Sequence, residues 1–376
     1  MYVSHIFSNS IRCTLTHILM VASIVILTPE SSFASKEASD EGAMVIVLDD
    51  CDSDNKDSTP PYGDKVFLLN SRGELIRREI SGIVISAYHP WRRVISASED
   101  GRFFVVCENV ANKLTAYETS TGDKLWSLSG IFESAVFANS LVYALNTESV
   151  FTIDSTGTIT KHARIGGMNI AIDRSHGCLW IVGLDIKKCD LNLHVILTVD
   201  YVSDLNAGVL SVDVNPDGSI WVAERHFEVP SNTNKSRLLK ISPNGGILKT
   251  IDLDFEPMCV RVDRHDGSVW TTGIGPRDYS KIDDDWPETV SKLYEMAKRE
   301  IYTHKYDSEC KLIVKIAEGG HSIELDPSDG SVWFTGSGSN NIWHYSSTGT
   351  KLTTYTGVSE DQKWLAVVSR RSQDNY

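Results

Sequence analysis

The chain of 376 residues is 41% hydrophobic and 23% charged, enough apolar material for a large core and too much for a mainly disordered polypeptide. Its formal net charge of −14, from 36 Lys and Arg against 50 Asp and Glu, argues against attachment to nucleic acid or anionic lipid, both of which need clustered cations. A cationic partner or a metal ion fits that balance better.

Residues 1–34 read as an export signal and not as part of the fold. Arg12 gives a weakly positive start, Ile18 to Leu27 is an apolar run short for a bilayer, and Ser32-Phe33-Ala34 offers a small-x-small cleavage site. The expected mature protein is therefore periplasmic or extracellular, with no stable membrane insertion after cleavage; an uncleaved anchor is the alternative. Six cysteines would remain: Cys51, Cys107, Cys178, Cys189, Cys259 and Cys310. Their spacing forms no CxxC or zinc pattern. Cys178 and Cys189 are placed to pair across neighbouring strands, whereas the alternative makes these cysteines small buried hydrophobes.

From Asp49 to Asp57 five carboxylates fall within nine residues, which invites a calcium reading with Asp50, Asp52 and Asp54 as ligands. The match to an EF-hand loop fails, because counting from Asp50 the sixth position is Asn55, not Gly, and the twelfth is Pro61, not Glu. A solvated acidic loop is the competing account.

The middle and end of the chain carry a repeat. It reads Asp173-Arg-Ser-His-Gly-Cys-Leu-Trp180, Asn215-Pro-Asp-Gly-Ser-Ile-Trp221 (preceded by Asp213), Asp263-Arg-His-Asp-Gly-Ser-Val-Trp270 and Asp326-Pro-Ser-Asp-Gly-Ser-Val-Trp333. Each copy lies between two alternating apolar stretches, so the glycine turn makes a hairpin. A second hairpin with a Gly-containing turn follows, as in Lys240 to Lys249 and Ile342 to Leu352, and the same pattern appears at Leu114 to Trp126. Two hairpins per period of about 40 to 60 residues make a four-stranded blade.

The expected fold is thus all-β, a single β-propeller over 35–376. Six blades read as 83–130, 131–165, 166–204, 205–254, 255–317 and 318–357. The N-terminal stretch 43–80 supplies three more strands, and Trp364 to Ser369 is a lone strand at the other end. Together they complete a seventh blade and close the ring, removing a free sheet edge. With strands lettered a to d from the ring axis outward, the a-to-b and c-to-d turns are short, while three long insertions (49–64, 225–235 and 275–299) fall between b and c. Long loops carry function more often than tight turns, which makes the b-to-c face the candidate functional face. Within the third insertion, 283–300 reads as a short helix in the sixth blade, with Pro287 and Glu288 in its first turn and Val290, Leu293, Tyr294 and Ala297 on one stripe.

Ala116 to Trp126 resembles one repeat of pyrroloquinoline-quinone propellers, with Glu118 where that family uses Asp. One copy implies a strand-turn-strand and no quinone. Gly319-Gly-His-Ser-Ile-Glu-Leu-Asp-Pro-Ser-Asp-Gly-Ser-Val-Trp-Phe-Thr-Gly336, followed by Asn340-Asn-Ile342, resembles the repeat of virginiamycin B lyase-like propellers and, more loosely, NHL and gluconolactonase-type propellers; the likeness spans 166–357. In the lyases a His at the start of strand a is a general base and Glu residues hold magnesium. His321 matches that His, but Gly336 stands where the Glu after Trp-Phe-Thr belongs; Glu224 is the only Glu at that blade position.

The family pattern alone does not assemble a site, and the best remaining constellation is His321 and Glu324 as candidate catalytic residues with Arg261 and Glu224 as candidate ligand-binding residues. Glu224 is also a candidate ligand for a divalent cation, Mg or Ca, since a His and carboxylates near a propeller mouth suit acid-base work. The alternative for His321 is a structural hydrogen-bonder or channel liner. A competing account pairs Glu324 with Arg261 on the neighbouring strand. The resulting expectation is an exported monomeric scaffold that binds a protein or small molecule through its b-to-c face. The alternative is a divergent metal-dependent lyase or lactonase at the channel mouth.

Overall fold

A computed structural model of the chain describes residues 43–49, 64–70, 72–83, 93–108, 111–199, 207–226, 236–275, 301–320, 322–336, 341–356 and 362–369. They form seven antiparallel four-stranded sheets. The first contains β1 (Ala43–Asp49), β2 (Asp64–Leu69) and β3 (Leu75–Ile83). The next two are β4 (Ile95–Ala97), β5 (Phe103–Glu108), β6 (Lys113–Glu118) and β7 (Lys124–Ser129), then β8 (Ser134–Ala138), β9 (Leu141–Leu145), β10 (Val150–Ile153) and β11 (Ile159–Ala163). The fourth holds β12 (Asn169–Asp173), β13 (Cys178–Val182), β14 (Ile186–Asp190) and β15 (Val195–Val199). The fifth holds β16 (Ala207–Val214), β17 (Ile220–His226), β18 (Arg237–Ile241) and β19 (Ile247–Asp252). The sixth holds β20 (Glu256–Val262), β21 (Val269–Ile274), β22 (Ile301–Tyr306) and β23 (Leu312–Ile316). The seventh holds β24 (Ile323–Leu325), β25 (Val332–Thr335), β26 (Asn341–Tyr345) and β27 (Lys351–Thr356). Finally β28 (Gln362–Ser369) returns to the first sheet, pairing with β1 so that Val45 faces Val367 and Leu48 faces Trp364.

Consecutive inner strands, from β4 through β8, β12, β16, β20 and β24 to β28, contact one another, and β28 contacts β4. The protein is a seven-bladed β-propeller closed by its two terminal strands, as the lone segment at Trp364 to Ser369 predicts. The expected leader 1–34 and the helix at 283–300 lie outside the described residues.

Burial within a blade explains the sequence pattern. In the fourth blade β12 and β13 are buried at every position, β14 only in part, and the outer β15 is mostly exposed. An inner strand packs against a neighbouring blade on each face, so it reads as a continuous apolar run; an outer strand alternates. The cores accordingly lie between blades: one cluster joins Trp180, Val182 and Ile186 of the fourth blade to Val212, Ile220 and Leu239 of the fifth.

The repeat motif does the joining. Trp180, Trp221, Trp270 and Trp333 are all fully buried on strand b. Opposite them on strand c stand Lys188, Lys240, Lys305 and His344. The three lysines lie over the indole faces at 5.2, 5.9 and 5.4 Å, and His344 stacks on Trp333 at 3.8 Å. Lys188 and Lys305 then reach carbonyls in the next blade, at Pro243 (3.3 Å) and Ser347 (2.7 Å). All four repeat glycines have positive φ, and at Gly330 the glycine is needed twice over: φ is +71°, and a Cβ there would lie 2.7 Å from Asp263 Oδ2, the repeat aspartate of the preceding blade.

Of the two readings of Cys178 and Cys189, the structure bears out the small buried hydrophobes and not the disulfide: both thiols are free and buried. The register explains this. Cys189 faces Leu179 and Cys178 faces Asp190, so the two cysteines project from opposite faces of the sheet.

Candidate functional site

A cavity of about 190 Å³ occupies the ring axis, lined by residues from all seven inner strands or the turns that follow them. It runs from the middle of the inner strands to their a-to-b turns. Its polar lining comprises Arg93, Arg174, Arg261, Arg264, His265, Asp213, Asp263, Glu324 and Asp326.

The centre of the site is an ion pair between the sixth and seventh blades. Arg261 donates to Glu324 Oε1 from Nε (2.8 Å) and Nη2 (2.5 Å), and from Nη1 to its neighbour's carbonyl at Val260 (2.8 Å). The Arg261 side chain is 7% exposed and that of Glu324 18%. A second guanidinium approaches the same carboxylate: Arg93 Nε lies 4.0 Å from Glu324 Oε1. Burial, reinforced by the charge of Arg261, lowers the proton affinity of Arg93. At the a-to-b turns Arg174 donates to Glu99 (2.6 Å) and to the carbonyl of Phe137 (3.0 Å), while Arg264 is exposed. His265 Nε2 lies 3.2 Å from the carbonyl of Pro327, tying the sixth and seventh turns together.

The acidic residues of the lining are engaged elsewhere. Asp213 Oδ2 accepts from the amide of Val262 (2.9 Å), which splices the fifth blade to the sixth. Asp263 takes the amide of His265 (3.0 Å) on Oδ1 and the buried Lys305 ammonium (3.5 Å) on Oδ2. Asp326 Oδ1 accepts from the amide and hydroxyl of Ser328 at 2.8 and 2.6 Å. Burial raises the pKa of Asp326 above the ordinary carboxylate range.

Of the residues singled out from the sequence, Glu324 and Arg261 come together, as a pair across adjacent inner strands. Glu224 does not line this cavity. It is fully buried on β17, and Arg237 on β18 grips both its oxygens, at 2.6 and 2.9 Å. That pairing gives Glu224 a cross-strand partner directly opposite it in the register. His321, Asp50, Asp52 and Asp54 lie outside the described residues. Among the described residues no group of three or more His, Cys, Asp or Glu is arranged to hold a metal ion.

Sequence reasoning missed Arg93, Arg174 and Arg264. Two of these carried a signal: Arg174 and Arg264 each follow the first aspartate of a repeat, and the corresponding residue of the last copy, Pro327, lines the same cavity. In three of the four copies the second repeat position therefore lies on the channel rim. Arg93 belongs to no repeat copy and has no comparable marker.

No family model matches the chain, and no curated protein matches it. Solved β-propellers do. A Bacteroides fragilis protein assigned as a 6-phosphogluconolactonase aligns with TM-score 0.58 and 12% identity over 88% of this chain and 99% of its own. Kuenenia stuttgartiensis hydrazine synthase aligns with TM-score 0.55 and 14% identity over 70% and 79%. The Myceliophteria thermophila Cps50 (Swd1) β-propeller domain aligns with TM-score 0.55 and 10% identity over 76% and 91%. At such identities the likeness is one of fold, and a propeller fold hosts many unrelated activities.

Proposed function

We propose that this protein is an exported binding scaffold, a propeller that presents its b-to-c face to a protein or small-molecule partner and performs no chemistry of its own. The strand ends support a recognition face. The connections from Asp49 to Asp64, His226 to Arg237 and Ile274 to Ile301 all join a strand b to a strand c, whereas Asp173 to Cys178, Val262 to Val269 and Tyr345 to Lys351 are tight turns on the opposite side. The observation that carries the non-catalytic reading is the state of the candidate carboxylates. Glu324 is bound by Arg261 and Glu224 by Arg237, so neither is poised as an acid or base.

The test compares the full chain with a variant in which 227–235 and 276–299 are replaced by short Gly/Ser turns. Cross-linking in cells that naturally make the protein should give discrete adducts that the variant loses while its melting temperature stays the same. Turnover of a lactone, dependent on magnesium and abolished by His321→Ala, would overturn this reading in favour of the lyase or lactonase that the last blade resembles.

A further inference from the structure

The channel and the b-to-c face are different places on the ring, and the channel has its own chemistry. Its lining is formally even, with four arginines (Arg93, Arg174, Arg261, Arg264) against four carboxylates (Asp213, Asp263, Glu324, Asp326). Charge count alone therefore decides nothing; hydrogen-bonding capacity does. Each guanidinium carries five N–H donors and no acceptor. Arg261 uses three nitrogens and Arg174 two. Among the described residues, Arg93 has only the 4.0 Å approach to Glu324, beyond hydrogen-bond distance, and Arg264 has no hydrogen bond from its side chain.

The acceptors are in the opposite position. Asp213, Asp263 and Asp326 take backbone amides, a serine hydroxyl and Lys305, all contacts that hold turns and splice blades. Glu324 Oε1 already takes two bonds from Arg261. Among the described residues Glu324 Oε2 takes no hydrogen bond, but the larger share of what faces the axis unspent is donor capacity, on a planar cation 15% exposed at Arg93 and on two others at the rim. A guanidinium largely removed from water and short of acceptors is a site of unmet electrostatic and hydrogen-bonding demand, which a planar or tetrahedral oxyanion fits in bidentate fashion. At about 190 Å³ the cavity far exceeds the roughly 10–15 Å³ needed by one water and falls below the roughly 300 Å³ of a drug-sized pocket.

We infer that the a-to-b end of the channel is a binding site for a small oxyanion, a ligand that presents a carboxylate or a phosphate to Arg93 with Arg174 and Arg264 at the rim. Glu324 then acts as the internal counter-ion that the incoming anion competes with for Arg93 and Arg261. The site is independent of the b-to-c face and stands or falls separately from the proposal above.

Isothermal titration of the full chain with inorganic phosphate, with succinate, and with glycerol as a neutral control tests it. Saturable binding of phosphate alone assigns a phosphorylated ligand, of succinate alone a carboxylate, and of both a general oxyanion site; each supports the inference. Arg93→Gln and Arg174→Gln should each weaken binding roughly tenfold, the loss of one charge-assisted hydrogen bond. Arg264→Ala, at an exposed turn with little influence on folding, should weaken it by about half that factor on a logarithmic scale, roughly threefold. Glu324→Gln, which removes the competitor, should strengthen it. The loop-replacement variant should bind as the parent does, whatever becomes of its cross-linked adducts. If Arg93→Gln fails to fold, the opposed responses of Arg264→Ala and Glu324→Gln still decide. Lack of binding of either anion by both the parent and Glu324→Gln overturns the inference, as does equal binding of glycerol or binding indifferent to every one of these substitutions.

Discussion

Replacing Glu324 with Ala should strip two guanidiniums of their shared carboxylate in the interior of the ring. Arg261 is 7% exposed and has only the Val260 carbonyl left as a hydrogen-bond partner, and Arg93 loses the carboxylate that lies 4.0 Å from it. Removing one member of a buried ion pair costs about 3–5 kcal/mol, chiefly because the other charge stays desolvated. The 18% exposure of Glu324 lets some water reach the vacancy, which sets the expectation at the lower end, about 3 kcal/mol. With an unfolding entropy near 2.1 cal/mol/K per residue, a chain of this length loses roughly 1.3 °C of melting temperature per kcal/mol, hence about 4 °C. Urea unfolding and calorimetry would measure it. In a cycle with Arg261→Met and Glu324→Leu, the double variant should be more stable than the sum of the single losses by about 1–3 kcal/mol. A single-variant loss below about 1 kcal/mol, or strict additivity, would show that the pair does not govern the charge balance of the channel.

The remaining predictions concern pH, thiols and closure. Burial depresses the pKa of His344, stacked on Trp333, to about 4. The unfolded chain thus takes up this proton first as pH falls: the contribution of His344 is intact above about 6.5, is lost between about 6.5 and 4, and is flat below. Its size is up to about 3 kcal/mol, and urea midpoints at pH 7 and 4.5 should differ less in His344→Phe than in the parent. Burial raises the Cys178 and Cys189 thiols to about 11. At pH 8 neither should react with iodoacetamide in the folded protein, and both should after unfolding in urea; labelling in the folded protein would contradict the burial. Deleting residues 362–376 removes β28 and exposes the inner edge of β1, and the truncated chain should lose its single cooperative melt and self-associate on gel filtration.

The architecture was legible because four of the seven blades repeat one physical solution. A tryptophan buried between blades, an aspartate or asparagine at the turn and a glycine at positive φ recur together, and they mark the first hairpin of the fourth to seventh blades. The closing strand was legible by elimination, since an N-terminal sheet without an inner strand required one. The channel was much less so. Arg93, Arg261 and Glu324 are separated by long stretches of sequence, and only the closing of the ring brings their strands to one axis. The likeness of the last blade to a lyase drew notice to Glu224, yet the register places Arg237 directly opposite it. A one-dimensional motif records which residue type occupies a strand position and not which side chain its neighbour offers.

The pairing of β28 with β1 also sets the order in which the molecule can be made. The inner edge of β1 waits for a partner that the ribosome supplies only after nearly all the intervening chain, so the last contacts formed are among the most distant in sequence. Such long-range closure is slow, and the incomplete ring carries an open strand edge until it happens. The nascent protein should therefore remain open and dependent on protection until β28 emerges. Once shut, the same staple means that neither β1 nor β28 can fray without opening the whole ring, a kinetic lock on the closed form.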